Sequence, residues 1–298
     1  MAKRKIDTLK VINTLNMETL DHQALQHAVS LLEQDTLTEK MTQLVGSPID
    51  YFMNKLPSGI EAHVHKLVET ALYKATDAAL WSLSNKPNQH ASTKTNKVFA
   101  ALSGALGGAF GFAALGVELP VSTTIMLRSV ADIARSEGFD LADIETKHAC
   151  LEVFALGGPK KDDDAVETAY YSARTFITET MQVLSKELST IAAKQASSNI
   201  VNNLTETQTS KWFAALIEKV ATRFGIVITE KVAAQAVPII GAVAGATLNT
   251  MFTDYYQDMA RGHFIIKRLE KKYGYELIHT QYQHLVMKKS LKINKNRN

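Results

Sequence analysis

A single cysteine, Cys150, stands in a chain of 298 residues. It excludes an intramolecular disulfide and any cysteine-built zinc site, and it fits a reducing compartment. Set among Ala149, Leu151 and Val153, it reads as an inert core thiol. Aromatic residues are scarce at 7%, and no run of alternating β-branched residues argues for a sheet. The start, Met1-Ala-Lys-Arg-Lys5, is basic but leads into a polar stretch, so no secretory leader is expected. The motifs of several common chemistries are missing. No Gly-Lys-Ser/Thr follows the glycines at 104–111, which removes a phosphate-binding loop. Neither a Gly-x-Ser-x-Gly elbow nor a His-Glu-x-x-His helix occurs.

What is present is ample for a core. Apolar residues make up 46% of the chain, and its length suits one large domain or two modest ones. Helical periodicity dominates. It predicts an amphipathic helix over 18–34, a shorter one over 36–45, and a third started by Pro48. Ser58-Gly-Ile-Glu61 reads as a capping box opening a long helix to about Ser84. Ile60, Val64, Leu67, Val68, Ala71, Leu72, Ala75 and Ala79 form its apolar face. Linkers are expected over 85–96 and 157–164, with a helix over 165–204 after the second. The remainder reads as helical, interrupted near Gly225, Pro238 and Gly274.

Two runs carry no charge, 98–117 and 232–253. Their length approaches that of a bilayer span. Eleven of the first twenty residues, however, are Ala or Gly, and the second run contains Gln235, Pro238, Thr247, Asn249 and Thr250. Both runs offer small residues at helix-contact spacing: Gly104/Gly108, Gly107/Gly111 and Gly241/Gly245. A buried pair of hairpins, reversible contact with lipid, and a constitutive span all remain open.

Each run leads into an Asp-Φ-Ala-Arg pattern, Asp132–Arg135 and Asp258–Arg261, at an offset of 126. On helices, Arg128, Asp132 and Arg135 form one stripe, and Asp254, Asp258 and Arg261 form another. One stripe is net positive and the other net negative. The expectation is that they face each other, with Arg128 or Arg135 answering Asp254 or Asp258. Metal chemistry has thin candidates in Glu145/His148 and Glu276/His279, with Glu118 and Glu152 to complete a set. Asp254, Asp258 and His263 form another. No cofactor is expected beyond an outside chance of a divalent cation. Charge is polarised along the chain. Residues 1–5 and 261–298 hold thirteen of the 33 cations and two of the 30 acids, leaving the middle acidic. The last stretch carries Lys288, Lys289, Lys292, Lys295 and Arg297 but no aromatics for stacking on bases. An anionic membrane surface is therefore the expected partner, and nucleic acid is not.

Several blocks resemble the bacterial EcsC family. They are Glu118-Leu-Pro-Val, Thr123–Arg135, Leu151–Gly158, Val237–Gly241, Asn249–Phe252 and Asp258–Phe264, closed by Arg268-Leu-Glu270 and Tyr273-Gly274. The resemblance covers roughly 40–285. It implies a helical, bacterial, intracellular protein associated with the inner membrane, without implying an activity. The family's name comes from an operon that also encodes an ABC transporter, so a membrane protein is a further expected partner. The expected architecture is one all-α domain with two Gly/Ala-rich central hairpins and the repeated Asp/Arg stripe. An amphipathic region spans 1–92, a core 97–285 and a basic tail 286–298. The polar cluster of interest is Glu118, Arg128, Asp132, Arg135, Asp254, Asp258, Arg261 and His263. The leading function is a membrane-associated accessory protein on the cytoplasmic face. The rivals are a metal-assisted hydrolase using Glu118, Asp132, Asp254, Asp258 and His263, and an assembly module whose small-residue faces set the oligomeric state.

Overall fold

The structure, a computed structural model, describes residues 17–46, 48–82, 115–158, 168–178, 204–235 and 241–297. Among these residues there are helices and turns but no strand. In chain order the helices are α1 (Thr19–Leu32), α2 (Leu37–Val45), α3 (Ile49–Met53), α4 (Ile60–Ser82) and α5 (Leu115–Ser136). They continue with α6 (Ile144–Ala155), α7 (described over 169–178), α8 (Leu204–Gln235), α9 (Gly241–Tyr273) and α10 (Tyr275–Arg297). Four of the glycines expected to make close helix contacts, Gly104, Gly107, Gly108 and Gly111, lie outside the described residues. So do the linker at 85–96, residues 98–114 of the first uncharged run, residues 159–164 of the second linker, residues 165–167 and 179–203 of the helix expected over 165–204, and Pro238.

Local chemistry explains where these helices start and stop. Thr36 and Glu39 close a reciprocal capping box at the start of α2, with the Thr36 amide donating to the Glu39 carboxylate at 2.6 Å. Pro48 caps α3 from just outside it. The expected box at Ser58–Glu61 is displaced. The helix begins at Ile60, one residue later than that box needs, and Gly59, with φ +82°, makes the entry. At the end of α5, Gly138 adopts φ +90° while the Phe139 amide donates to the Ala134 carbonyl and the Gly138 amide to that of Arg135. This Schellman closure stops the helix and delivers Phe139 against Phe264, their ring centres 5.0 Å apart.

The apolar face expected of α4 is buried at Val64, Val68, Ala71, Leu72 and Ala75, where it packs on α5 and α8. α9 is the hub, touching α1, α2, α5, α6, α8 and α10. At its crossing with α1 the backbones come close. A Cβ added at Gly262 would lie 2.6 Å from Leu32 Cγ, so only glycine lets α1 settle there. Polar contacts fasten the same junction: Asp21 accepts from Lys272 and from Tyr273, each at 2.7 Å. Tyr282 on α10 donates to Glu33 at 2.9 Å. One continuous apolar core runs from Met17 to Tyr282 and joins the N-terminal helices to the rest. No described helix is long and apolar enough to cross a membrane.

Candidate functional site

Polar residues are buried on both sides of α9. On one side it meets α5, and the cross-contacts show the two running parallel. Glu118 faces Asn249, Ser129 faces Gln257, and Glu137 faces Arg261, at sequence separations of 131, 128 and 124. These values bracket the repeat offset of 126, so the two copies of the weak repeat lie side by side and in step. The repeat-equivalent hydroxyls behave alike as well, Thr124 donating to the Pro120 carbonyl and Thr250 to that of Ala246.

The ion pair at the start of this seam is Glu118 with Lys231 of α8, at 2.9 Å, and Asn249 donates to the same carboxylate oxygen at 2.9 Å. Burial alone would raise the Glu118 carboxyl. The Lys231 ammonium and the donors around it outweigh that and hold it below its ordinary value. Midway, Gln257 donates to Ser129 at 2.7 Å. At the far end, buried Arg135 donates to Asp132 on its own helix. Arg261 reaches Glu137 at 3.9 Å, and Arg268 reaches it at 3.5 Å. Arg128 is exposed. Asp254 and Asp258 line a cavity of about 480 Å³ between α2 and α9, beside Lys40 and Tyr255. Gln34 donates to Asp258 at 3.4 Å.

On the other side of α9, His263 is fully buried. Its Nδ1 lies 3.0 Å from the Tyr170 hydroxyl of α7, and its Nε2 lies 3.4 Å from Glu152 of α6. The second oxygen of Glu152 stands 3.4 Å from His148. The network continues through Arg174, which is 3.4 Å from Tyr170 and forks onto Glu270 at 2.7 and 3.0 Å, where Tyr171 adds a third donor. Burial pushes the His263 imidazole down to about 4 despite the pull of Glu152. Burial would raise Glu152, but the His263 ring, 3.4 Å away, and the Lys267 ammonium hold it well below the usual carboxylate range. The result is a neutral imidazole gripped between a phenol and a carboxylate, a junction that pins three helices together.

Just beyond Glu152, α6 ends against α8. Arg223 Nε donates to the Ala155 carbonyl at 2.7 Å. The two glycines that follow make room, since a Cβ at Gly157 would meet the Tyr256 hydroxyl at 2.5 Å and one at Gly158 would meet Arg223 at 3.1 Å. Burial pushes the nearby Cys150 thiol up, in keeping with an inert core sulfur.

The residues proposed for metal chemistry do not converge. Glu145 and Glu276 are exposed, while His279 stacks on Tyr275 at 5.3 Å and lies 3.2 Å from Gln283. Glu118 belongs to the Lys231 pair, Asp132 to Arg135, and His263 to the Tyr170 junction. Among the described residues no group of three or more His, Cys, Asp or Glu could hold a metal ion. Of the glycines expected at helix contacts, Gly241 and Gly245 occupy the first two turns of α9. Gly104, Gly107, Gly108 and Gly111 belong to the stretch before α5 that the structure does not describe.

At the basic end, α10 runs without a break through residue 286 to Arg297. Lys288 is exposed, and Lys289 donates to the Glu33 carbonyl at 2.8 Å. Met287 and Leu291, one turn apart, are 62% and 64% exposed. The side chains of Lys292, Lys295 and Arg297 lie outside the described residues. Lys231, Tyr170 and Arg174 were not singled out from the sequence. The hint for Lys231 was its place as the last charge before an uncharged run. For the other two it was their spacing of one helical turn.

A family model described as the EcsC protein family matches residues 13–269, and the chain belongs to that family. No curated protein and no solved structure matches it.

Proposed function

We propose that this member of the EcsC family is an accessory protein with no defined catalytic activity that docks, through the end of α10, on the anionic cytoplasmic face of the bacterial inner membrane. The observation that supports this reading is the pairing of Met287 and Leu291, both exposed, with Lys288 between them and further basic residues following on the same helix. The first half of α10 is anchored by buried Ile278 and Tyr282, so the apolar pair is presented from a fixed base. Each cation near an anionic surface contributes about 1 kcal/mol, and each large apolar side chain taken out of water contributes about 1.5–3 kcal/mol. Together they give reversible binding that responds to salt, as two weak signals do on other peripheral proteins. An integral membrane protein held at the same face is the companion expectation.

Co-sedimentation with vesicles of phosphatidylglycerol and phosphatidylcholine tests this. Binding is expected at low salt, falling as salt rises, and falling sharply when Met287 and Leu291 are both replaced by Ser. No binding to the anionic vesicles at low salt, or equal binding to vesicles of phosphatidylcholine alone, refutes it.

A further inference from the structure

A second cavity, of about 360 Å³, opens between α3, α4 and α8. It falls at the lower end of the sizes that hold small organic molecules. Met53, Ala62 and Ile226 supply apolar walls, and Ile226 is 41% exposed. Its floor is Gly225, in the interior of α8. Glycine is disfavoured there relative to alanine, and here packing does not demand it. A Cβ at 225 would meet nothing nearer than His65 Cδ2 at 3.5 Å, an ordinary contact. The contrast with Gly157 and Gly262, where a Cβ would collide, is plain. A Cβ at Gly225 would rest against His65 without collision, and a longer side chain there would enter the cavity that Gly225 lines.

The polar equipment of the cavity has one sign. Glu61 and His65, one turn apart on α4, line it, and among the described residues no Lys or Arg does. The hydroxyls of Thr222 and Thr229 are spent on the Glu218 and Gly225 carbonyls of their own helix, at 3.0 and 2.8 Å. The threonine oxygens are thereby left as acceptors only, and the remaining polar lining is the exposed Glu61, a carboxylate that only accepts, and half-buried His65, an imidazole that donates or accepts. We infer that this cavity binds a small organic amine. Its alkyl or aryl body lies over Gly225 against Ile226, Ala62 and Met53, and its ammonium faces Glu61 with His65 as a second partner. The site shares no element with α10, so it stands or falls apart from the membrane reading.

Calorimetric titration of the full chain with n-butylamine, n-hexylamine, n-octylamine, hexanol and hexanoate, at fixed ionic strength, tests the inference. Affinity is expected to rise about fourfold per methylene until the cavity is full. Hexylamine should bind about fivefold tighter than hexanol, with hexanoate weakest. Gly225→Leu, which fills the floor, should cost at least about tenfold. Gly225→Ala should stay within about threefold and shows that the change in helix propensity is not the cause. Should Gly225→Leu not fold, Ala62→Trp fills the same space from an exposed position and should cost as much. Glu61→Gln should abolish the preference for amine over alcohol while keeping the dependence on chain length. Absence of saturable binding, binding indifferent to the filling variants, or hexanol and hexanoate binding as tightly as hexylamine each overturns the proposal.

Discussion

Mild acid should loosen the junction of α6, α7 and α9, and His263 is the residue to follow. In an unfolded chain its imidazole takes a proton near 6.5, but in the folded protein burial delays that to about 4. The unfolded state therefore binds the proton first. The stability drawn from a neutral His263 is complete above about pH 6.5 and is lost as pH falls toward 4. Integrated between pH 6.5 and 5, one such group accounts for about 1.6 kcal/mol. With a urea dependence of about 3 kcal/mol per molar, suited to a chain of this size, the unfolding midpoint falls by about 0.5 M over that interval. Urea unfolding followed by circular dichroism at pH 6.5, 6.0, 5.5 and 5.0 should show this fall in the native chain. It should be absent, beyond a shared background, in His263→Gln. His148, also lowered by burial, titrates in both proteins and drops out of the difference. Glu152 is held well below this window in the native chain, and in His263→Gln the Lys267 ammonium and the donor of the new amide still oppose its protonation. Midpoints that move in parallel, differing by less than about 0.1 M across the range, would refute the reasoning.

Two further outcomes concern the α5–α9 seam. Glu118→Gln leaves the Lys231 ammonium buried beside a neutral amide and should cost about 3–5 kcal/mol in chemical unfolding. Glu118→Leu combined with Lys231→Met should recover most of that, and a double variant as weak as the single one would mean that the pair is not the point of failure. The stripes that now lie in step can be tested by reversing charges. If Arg128 answers Asp254, Arg128→Asp with Asp254→Arg should be more stable than either single reversal by about 1 kcal/mol or more. Strict additivity of the two losses argues against that pairing.

The parts of the fold legible in the sequence were those written in local patterns. The α1 and α2 spans, the buried face of α4 and the breaks at Pro48 and Gly274 all follow from periodicity and from residues with restricted or unusual backbones, whereas the break expected near Gly225 is absent, because α8 runs through that glycine. The Asp-Φ-Ala-Arg repeat was legible as a repeat, and its offset anticipates how α5 and α9 lie beside each other. Partner choice within the polar groups was harder to read. Lys231 is the last charge before an uncharged run, and nothing local says that it meets Glu118, 113 residues away. The His263 junction draws on α6, α7 and α9, so no window of sequence holds it. The Ser58 box failed for a different reason. A glycine with a left-handed backbone, one residue on, offers an entry that competes with a side-chain cap, and the choice depends on where α4 must lie against α8.

The meeting of the chain's two ends has a consequence for its synthesis. Glu33 receives Tyr282 and Lys289 across 249 and 256 residues. When α1 leaves the ribosome, the helices that cover it have not been made. At about 5–20 residues per second, the wait is about 12–50 s. Through that interval Leu25, Val29 and Leu32 have nothing of their own chain to lie against, and a nascent polypeptide in that condition is a natural client for chaperones.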